Sequence, residues 1–282
     1  MTNNSPYLRL PASVRNIMLK VLAALLPGIA AYVWWFGADV LVQIVLASTA
    51  ALAGEAAMLA LRRKPLWLFL SDGSALVTAW LIALCFPAAG PWWLVVAGTL
   101  FAIVVVKHFF GGLGQNSFNP AMAGVCLMLV AAPQWMSQVP VAGQEWRWAA
   151  LGYLLGGLWL IRQRIITWHI PTAFLGALAV VAGGFHVFDP AAYAGVEFHL
   201  LSGSAMLGAF FIATDPVTGA TTPRGKLIYA AGIAVLTWII REFGIYPDGI
   251  AFATLLMNSC APLIDRCTQP PVFGNKIEPP AA

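Results

Sequence analysis

Apolar runs long enough to cross a membrane recur along this chain at 17–36, 40–61, 73–87, 91–106, 120–132, 148–161, 170–184, 201–214, 227–240 and 249–264. A hydrocarbon core about 30 Å thick is spanned by about 20 helical residues, so the pattern predicts ten transmembrane helices, some short and paired. Two connections break it. GGLGQNSFNPAMAG, Gly111 to Gly124, and ATDPVTGATTPRGK, Ala213 to Lys226, set Gly, Asn, Thr and Pro directly between apolar runs. Irregular backbone of this kind cannot face lipid, where each unpaired N–H or C=O costs several kcal/mol, so both breaks must be buried in protein or line a cavity. Two such breaks in one bundle are expected to share a pocket.

Composition supports a membrane protein and excludes a soluble domain: 60% of residues are hydrophobic, 9% are charged, and the mean hydropathy is +0.81. The net charge of +4 points to no nucleic-acid partner; its distribution points to a lipid bilayer. With the N-terminus in the cytoplasm, thirteen of the fifteen Lys and Arg residues fall inside and only Arg147 and Arg241 outside. Trp34, Trp35, Trp92, Trp93, Trp146 and Trp148 then sit at the interfaces, where aromatic belts form. The first apolar run has a basic start but no small-residue cleavage site, so it reads as a retained span rather than a signal peptide. The expected location is a bacterial cytoplasmic membrane, crossed many times, with both termini and both breaks on the cytoplasmic side.

The chain also repeats. GSALVTAWLIALCFP, Gly73 to Pro87, lies over GSAMLGAFFIATDP, Gly203 to Pro216, and KHFFGG, from Lys107, over REFG, from Arg241. Five helices per half is an odd number, so the second half enters the membrane from the opposite face. The fold expected is therefore an all-α polytopic membrane protein of about ten transmembrane helices, an inverted five-plus-five repeat with broken helices. It forms a single integral membrane domain over 1–282, with halves at about 1–135 and 146–265 and a cytoplasmic tail at 266–282. Such folds place ligands near the repeat interface.

Each break carries candidate chemistry. In the first, Gly111, Gly112 and Gly114 permit positive φ and close approach of a ligand to the backbone, and Asn116 and Asn119 offer amide donors and acceptors. Pro120 starts the next helix, whose N-terminal N–H groups suit an electron-rich group. On the residues alone, a buried re-entrant turn with Asn helix caps fits as well. Lys107 and His108 read as interfacial anchors, with Lys107 also available to an anionic group. In the second break Asp215 reads as a turn or cap, and Thr218, Thr221 and Thr222 are closely spaced hydroxyls. The alternative is a topology-setting loop, with Arg224 and Lys226 as its basic pair. Glu55, on the order of 10 Å inside the membrane by helical rise, is an ion-pathway candidate, or a packing hydrogen-bond partner. Four cysteines without close pairing and four edge-placed histidines offer neither an iron–sulfur nor a haem site.

The two breaks, the opening RNIMLKVLAALLPGIAAYVWWFGADVLVQIVLASTAALAGEA and the late YPDGIAFATLLMNSCAPLID together resemble the D subunit of Rnf electron-transport complexes, a family that includes the B subunit of the sodium-pumping NADH:quinone reductase. The resemblance runs over nearly the whole chain. It implies a ten-helix flavin-bearing subunit, not catalytic alone, in a complex coupling ferredoxin/NAD electron transfer to movement of Na+ or H+. Implied partners are a membrane iron–sulfur pair, an FMN-bearing subunit and ferredoxin/NAD-facing subunits. The implied cofactor is non-covalent riboflavin, or FMN, on the cytoplasmic side near Lys107, Gly111, Gly112, Gly114, Asn116, Asn119, Asp215, Thr218, Thr221 and Thr222.

One departure matters. Family members usually carry a long outer insert between helices five and six, with a D-x-x-[ST]-x-A-T motif whose last Thr receives FMN. Here that connection is only Ala132 to Arg147 and holds no Thr. The same pattern recurs at Asp215, Thr218, Ala220 and Thr221, but the basic-residue distribution puts it inside. Thr221 is therefore expected to stay unmodified, with covalent FMN there as the alternative. Two other classes stay open: a small-solute channel or transporter of inverted-repeat architecture, and a cofactor-free scaffold subunit.

Overall fold

The computed structural model describes residues 13–138, 144–246 and 248–270, and all regular elements among them are helices. The first half holds α1 (Val14–Phe36), α2 (Asp39–Leu61), α3 (Leu66–Leu70), α4 (Ser74–Cys85), α5 (Trp92–Phe109), α6 (Pro120–Ala131) and α7 (Pro133–Met136). The second holds α8 (Gln144–Arg162), α9 (His169–Phe188), α10 (Val196–Leu201), α11 (Ala205–Leu207, continued as a π-helix over Gly208–Ile212), α12 (Pro223–Phe243) and α13 (Ile250–Cys267). Of these, α1, α2, α5 and α9 are long and apolar enough to cross a membrane outright, and α4 and α6 are shorter apolar helices. The protein is a polytopic all-α membrane protein. Large apolar side chains such as Val42, Val45, Val180, Val187 and Leu256 are exposed on its outer faces, as a hydrocarbon solvent requires.

Each predicted run contains helix, with two differences. The 91–106 run extends to Phe109 because its second half is π-helical from Phe101. The 201–214 run is shorter than expected: Gly203, at φ +55°, holds the chain in a left-handed turn, and regular structure starts only at Ala205. Three short helices, α3, α7 and α10, have no counterpart in the apolar pattern; each lies in a connection between predicted spans. Arg9, Lys276 and the tail from 271 onward lie outside the described residues.

The packing repeats between the halves. In the first, α2 packs on α3, α4 and α5, and α5 on α6; in the second, α9 packs on α10, α11 and α12, and α12 on α13. Across the halves, first helix meets first helix (α1 with α8) and last meets last (α6 with α13). The α1–α8 contact is the closest. A Cβ on Gly156 would overlap the Ala24 carbonyl, and one on Gly28 would enter the Tyr153 ring. In lipid, where apolar surface gains nothing from leaving solvent, small residues let helices gain dispersion and backbone contact instead.

Candidate functional site

The two polar breaks meet. Asn119 closes the first break as the N-cap of α6, its side chain accepting from Met122 N at 3.2 Å with Pro120 at the first helical position. Its Nδ2 donates to the Ile212 carbonyl, the last residue before the second break, at 3.4 Å. Asn258 of α13 ties the two together. Its Oδ1 accepts from Asn119 N at 3.0 Å, while its Nδ2 donates to the Thr218 carbonyl at 3.1 Å and the Tyr229 hydroxyl at 2.7 Å. Asn258 is 3% exposed, so these bonds satisfy backbone groups that no water reaches.

The ordered breaks leave a cavity of about 150 Å³ between the halves. Its walls are apolar, drawn from Met18 and Val21 of α1, Val77 and Leu81 of α4, and Phe210 and Phe211 of the π-helical part of α11. Its polar edge comes from Ser74, Lys107, Asn116, Asn119, Thr214 and Asp215. Both π-helical stretches among the described residues reach this cavity, one through Lys107 and the other through Phe210 and Phe211. Their i→i+5 bonds run on into the loops, with Gly112 N donating to the Lys107 carbonyl at 2.9 Å and Ala213 N to the Gly208 carbonyl at 2.8 Å. Each such turn inserts one residue and rotates the downstream side chains by about 100° from α register; π segments of this kind recur at functional sites.

Lys107 and His108 are not interfacial anchors: they are 3% and 2% exposed. Lys107 Nζ lies 2.8 Å from Glu55 Oε2 and donates to Ser74 Oγ at 2.8 Å. His108 Nε2 lies 3.3 Å from the other Glu55 oxygen. Ser74 is fixed in turn by Asp72, whose Oδ1 accepts from its N–H at 2.7 Å and its hydroxyl at 2.6 Å. Glu55 is thus the anion of a buried cluster rather than a solitary carboxylate. A buried cation at the wall of an apolar slot favours an electron-rich or anionic group there, because little water screens it.

The remaining candidates fall into two sets. Gly111, Gly112 and Gly114 adopt φ of +125°, +106° and +83° and shape the loop without lining the cavity. Arg62 braces that loop by donating to the carbonyls of Gly111, at 3.0 Å, and of His108. In the second break Asp215 lines the cavity and turns the chain, accepting from Val217 N at 3.1 Å and the Thr218 hydroxyl at 2.9 Å. Burial raises its carboxyl above the usual range.

The three threonines do not present free hydroxyls to the cavity, as their spacing had suggested. The Thr218 hydroxyl is spent on Asp215. That of Thr221 donates to Asp265 Oδ2 at 2.8 Å, at the end of α13, and that of Thr222 caps α12 and meets Thr268. Thr221 is exposed. The roles of Thr221 and Thr222 escaped the sequence because their partners on α13 and just beyond it are 43 to 46 positions away. Asn258 carried a signal, a lone amide within apolar LLMNSCAPL, which in a membrane helix points inward.

The donor set fits a planar aromatic ring with polar edges. Apolar faces from Val77, Leu81, Phe210 and Phe211 flank the slot, and amides, hydroxyls and one ammonium stand at its rim. A flavin has this chemistry. Among the described residues no three His, Cys, Asp or Glu side chains converge as metal ligands.

Comparison with known proteins gives a consistent picture. The NQR2, RnfD, RnfE family pattern matches residues 1–144 and 138–274. The two matches overlap at 138–144, within the short connection at 132–147. A protein of Yersinia pseudotuberculosis serotype O:1b, described as the D subunit of an ion-translocating oxidoreductase complex, is 40% identical over 97% of this chain and 98% of its own length. Proteins of the same description from Escherichia coli strain SE11 and Citrobacter koseri are 41% and 40% identical with the same coverage. These alignments extend over 343 or 344 positions, more than the 282 residues of this chain, so the relatives hold sequence that it lacks.

Proposed function

This chain belongs to the NQR2, RnfD, RnfE family, and from that premise we propose that it is the D subunit of an ion-translocating oxidoreductase complex, with a non-covalent flavin in the cavity between its two polar breaks. One observation carries the reading: both breaks and both π-helical stretches converge on a single slot with apolar walls and a polar rim. Asn116 and Lys107 would hold the polar edges of the ring system and Phe210 and Phe211 its faces, while Asn119 holds the two breaks together beside it. The flavin would supply electron acceptance and donation in one- or two-electron steps.

The residues of the chain set the conditions. Glu55 and Ser74 hold the Lys107 ammonium at the rim, where it favours added negative charge. Asp215, its carboxyl raised above the usual range by burial, holds its negative charge less firmly than an exposed Asp. The apolar walls keep the dielectric low and so strengthen both effects. Electrons would come from and go to the other subunits of an Rnf-type complex, and their passage would be coupled to Na+ or H+ movement across a bacterial cytoplasmic membrane, with both termini cytoplasmic.

The test is flavin content of the purified protein. Native yellow colour with a non-fluorescent band on a denaturing gel is expected, with the colour lost in Asn119→Leu and kept in Gly176→Ala. A colourless wild-type protein that moves a small solute in liposomes would replace this reading with that of a transporter.

A further inference from the structure

Two elbows at the cavity end of the bundle are built alike, although they are not mates in the repeat. α2 and α8 end in the same cap. Arg63 N donates to the Ala60 carbonyl at 3.0 Å and Lys64 N to that of Leu59 at 2.9 Å; Arg164 N donates to the Ile161 carbonyl at 2.9 Å and Ile165 N to that of Leu160 at 3.0 Å. This cap needs a left-handed residue just past the helix, a place that glycine usually fills because a Cβ is strained there. Arginine fills it in both elbows, at φ +53° and +57°, and these are the only non-glycine residues with positive φ among the described residues. Four positions on, each is followed by an exposed tryptophan, Trp67 at 83% and Trp168 at 55%.

Arg63 and Arg164 are exposed, and neither pairs with a carboxylate among the described residues. More positive charge gathers beside them. Lys64 adjoins the first, and at the second Lys20 of α1 donates to Gln163 Oε1 at 3.1 Å. Apolar surface without protein cover lies next to the charge: α3 follows the first elbow as LWLFL with no buried residue, Leu66 being 43% and Leu68 65% exposed. Basic groups just past a span, with Trp and Leu beside them, have the chemistry of the headgroup layer of an anionic leaflet. In the orientation proposed above, both elbows meet the cytoplasmic leaflet, whose surface is negative.

We propose that each elbow binds the phosphate of an anionic phospholipid, held by its left-handed arginine and the neighbouring lysine, with the tryptophan against the glycerol and upper acyl chain. Glycine would make the same turn without strain but would leave no charge at headgroup depth. The elbows also border the cavity. Ile165 and Ile166, directly after Arg164, line it, and Arg62, directly before Arg63, braces the glycine loop through the Gly111 carbonyl. Lipid at either elbow therefore steadies a wall of the cavity, whatever the cavity binds, so the inference goes beyond the flavin reading and does not depend on it.

The test compares phosphatidylglycerol with phosphatidylcholine on the full chain in bilayers. Spin-labelled forms of the two lipids report relative affinity, and melting temperature is read in phosphatidylcholine alone and with phosphatidylglycerol added. Wild type should prefer phosphatidylglycerol and melt higher with it. Arg63→Gly and Arg164→Gly should each lower that preference about fivefold at the altered elbow. Both should fold, melting in phosphatidylcholine at or above the wild-type temperature, because glycine relieves the left-handed strain. The double variant should no longer gain from phosphatidylglycerol. Arg224→Gln, which removes the same charge from the second break, should leave the preference unchanged, and inorganic phosphate in detergent should not raise the melting temperature. Equal affinity of wild type for the two lipids, an equal loss in Arg224→Gln, or stabilisation by phosphate alone would each overturn the proposal. Glycine variants that keep the lipid preference but shed another subunit of the complex would make the elbows a protein interface and overturn it as well.

Discussion

Lys107 Nζ and Glu55 Oε2 stand 2.8 Å apart on neighbouring helices, each side chain 3% exposed. The pair joins the helix that bears the Phe101–Phe109 π stretch to the one whose Arg62 braces the glycine loop, so the cavity between the two breaks is shaped around it. Two charges buried in a bundle tolerate each other far better than either tolerates isolation.

Removing one partner should therefore cost more than removing both. Glu55→Gln is expected to lower stability in detergent by about 3–5 kcal/mol by stranding the ammonium. Adding Lys107→Met should recover most of that loss. Thermal unfolding of the two single variants and the double variant gives the coupling directly. Redox-driven ion movement should stay impaired in the stable double variant if the charges serve function as well as packing.

The helix contact between the halves should respond sharply to one methyl group. Gly156→Ala places a Cβ on the Ala24 carbonyl, so α1 and α8 must separate, and a loss of more than about 3 kcal/mol is expected, in the range of severe packing defects. Gly176→Ala, with nothing within 4 Å of the added carbon, should change stability by less than about 1 kcal/mol. Folded yield and melting temperature of the two proteins, side by side, test this.

The end of the bundle that carries α10 should show acid sensitivity traceable to one imidazole. His199 lies outside the spanning segments, and burial, then the Arg241 cation, lowers its pKa to about 4. This holds although Glu242 Oε1 is 3.2 Å away and Asp248 already partners Arg241. A depressed folded-state pKa means the stability is fully present above about 6.5, the unfolded value, and is lost as pH falls toward 4. Melting temperature measured from pH 7 to pH 4 should fall in wild type and fall less in His199→Gln.

Thr221 should remain unmodified. Its hydroxyl and N–H both donate to the carboxylate of Asp265, and Thr221→Val should cost about 1 kcal/mol for the lost hydrogen bond while leaving flavin content unchanged. A fluorescent band in the wild-type denaturing gel that vanishes in Thr221→Val would instead establish covalent attachment at this position.

The sequence determined the membrane class, the ten helical segments and the two breaks, because hydrocarbon tolerates so little: a run of apolar residues or a cluster of Gly, Asn and Pro is legible without a partner. It also revealed the repeat through GSAL and GSAM, whose glycines both proved to turn the chain. Only the tertiary structure decided which polar groups face the cavity. Thr218, Thr221 and Thr222 had the right chemistry and local spacing, yet Asp215, Asp265 and Thr268 occupy their hydroxyls. Lys107 had the signature of an interfacial anchor, yet a π-helical stretch and the distant Glu55 hold it inside. Hydrogen bonds and ion pairs depend on which groups come within about 3 Å, and for residues tens of positions apart that distance is set by helix packing, not by the chain.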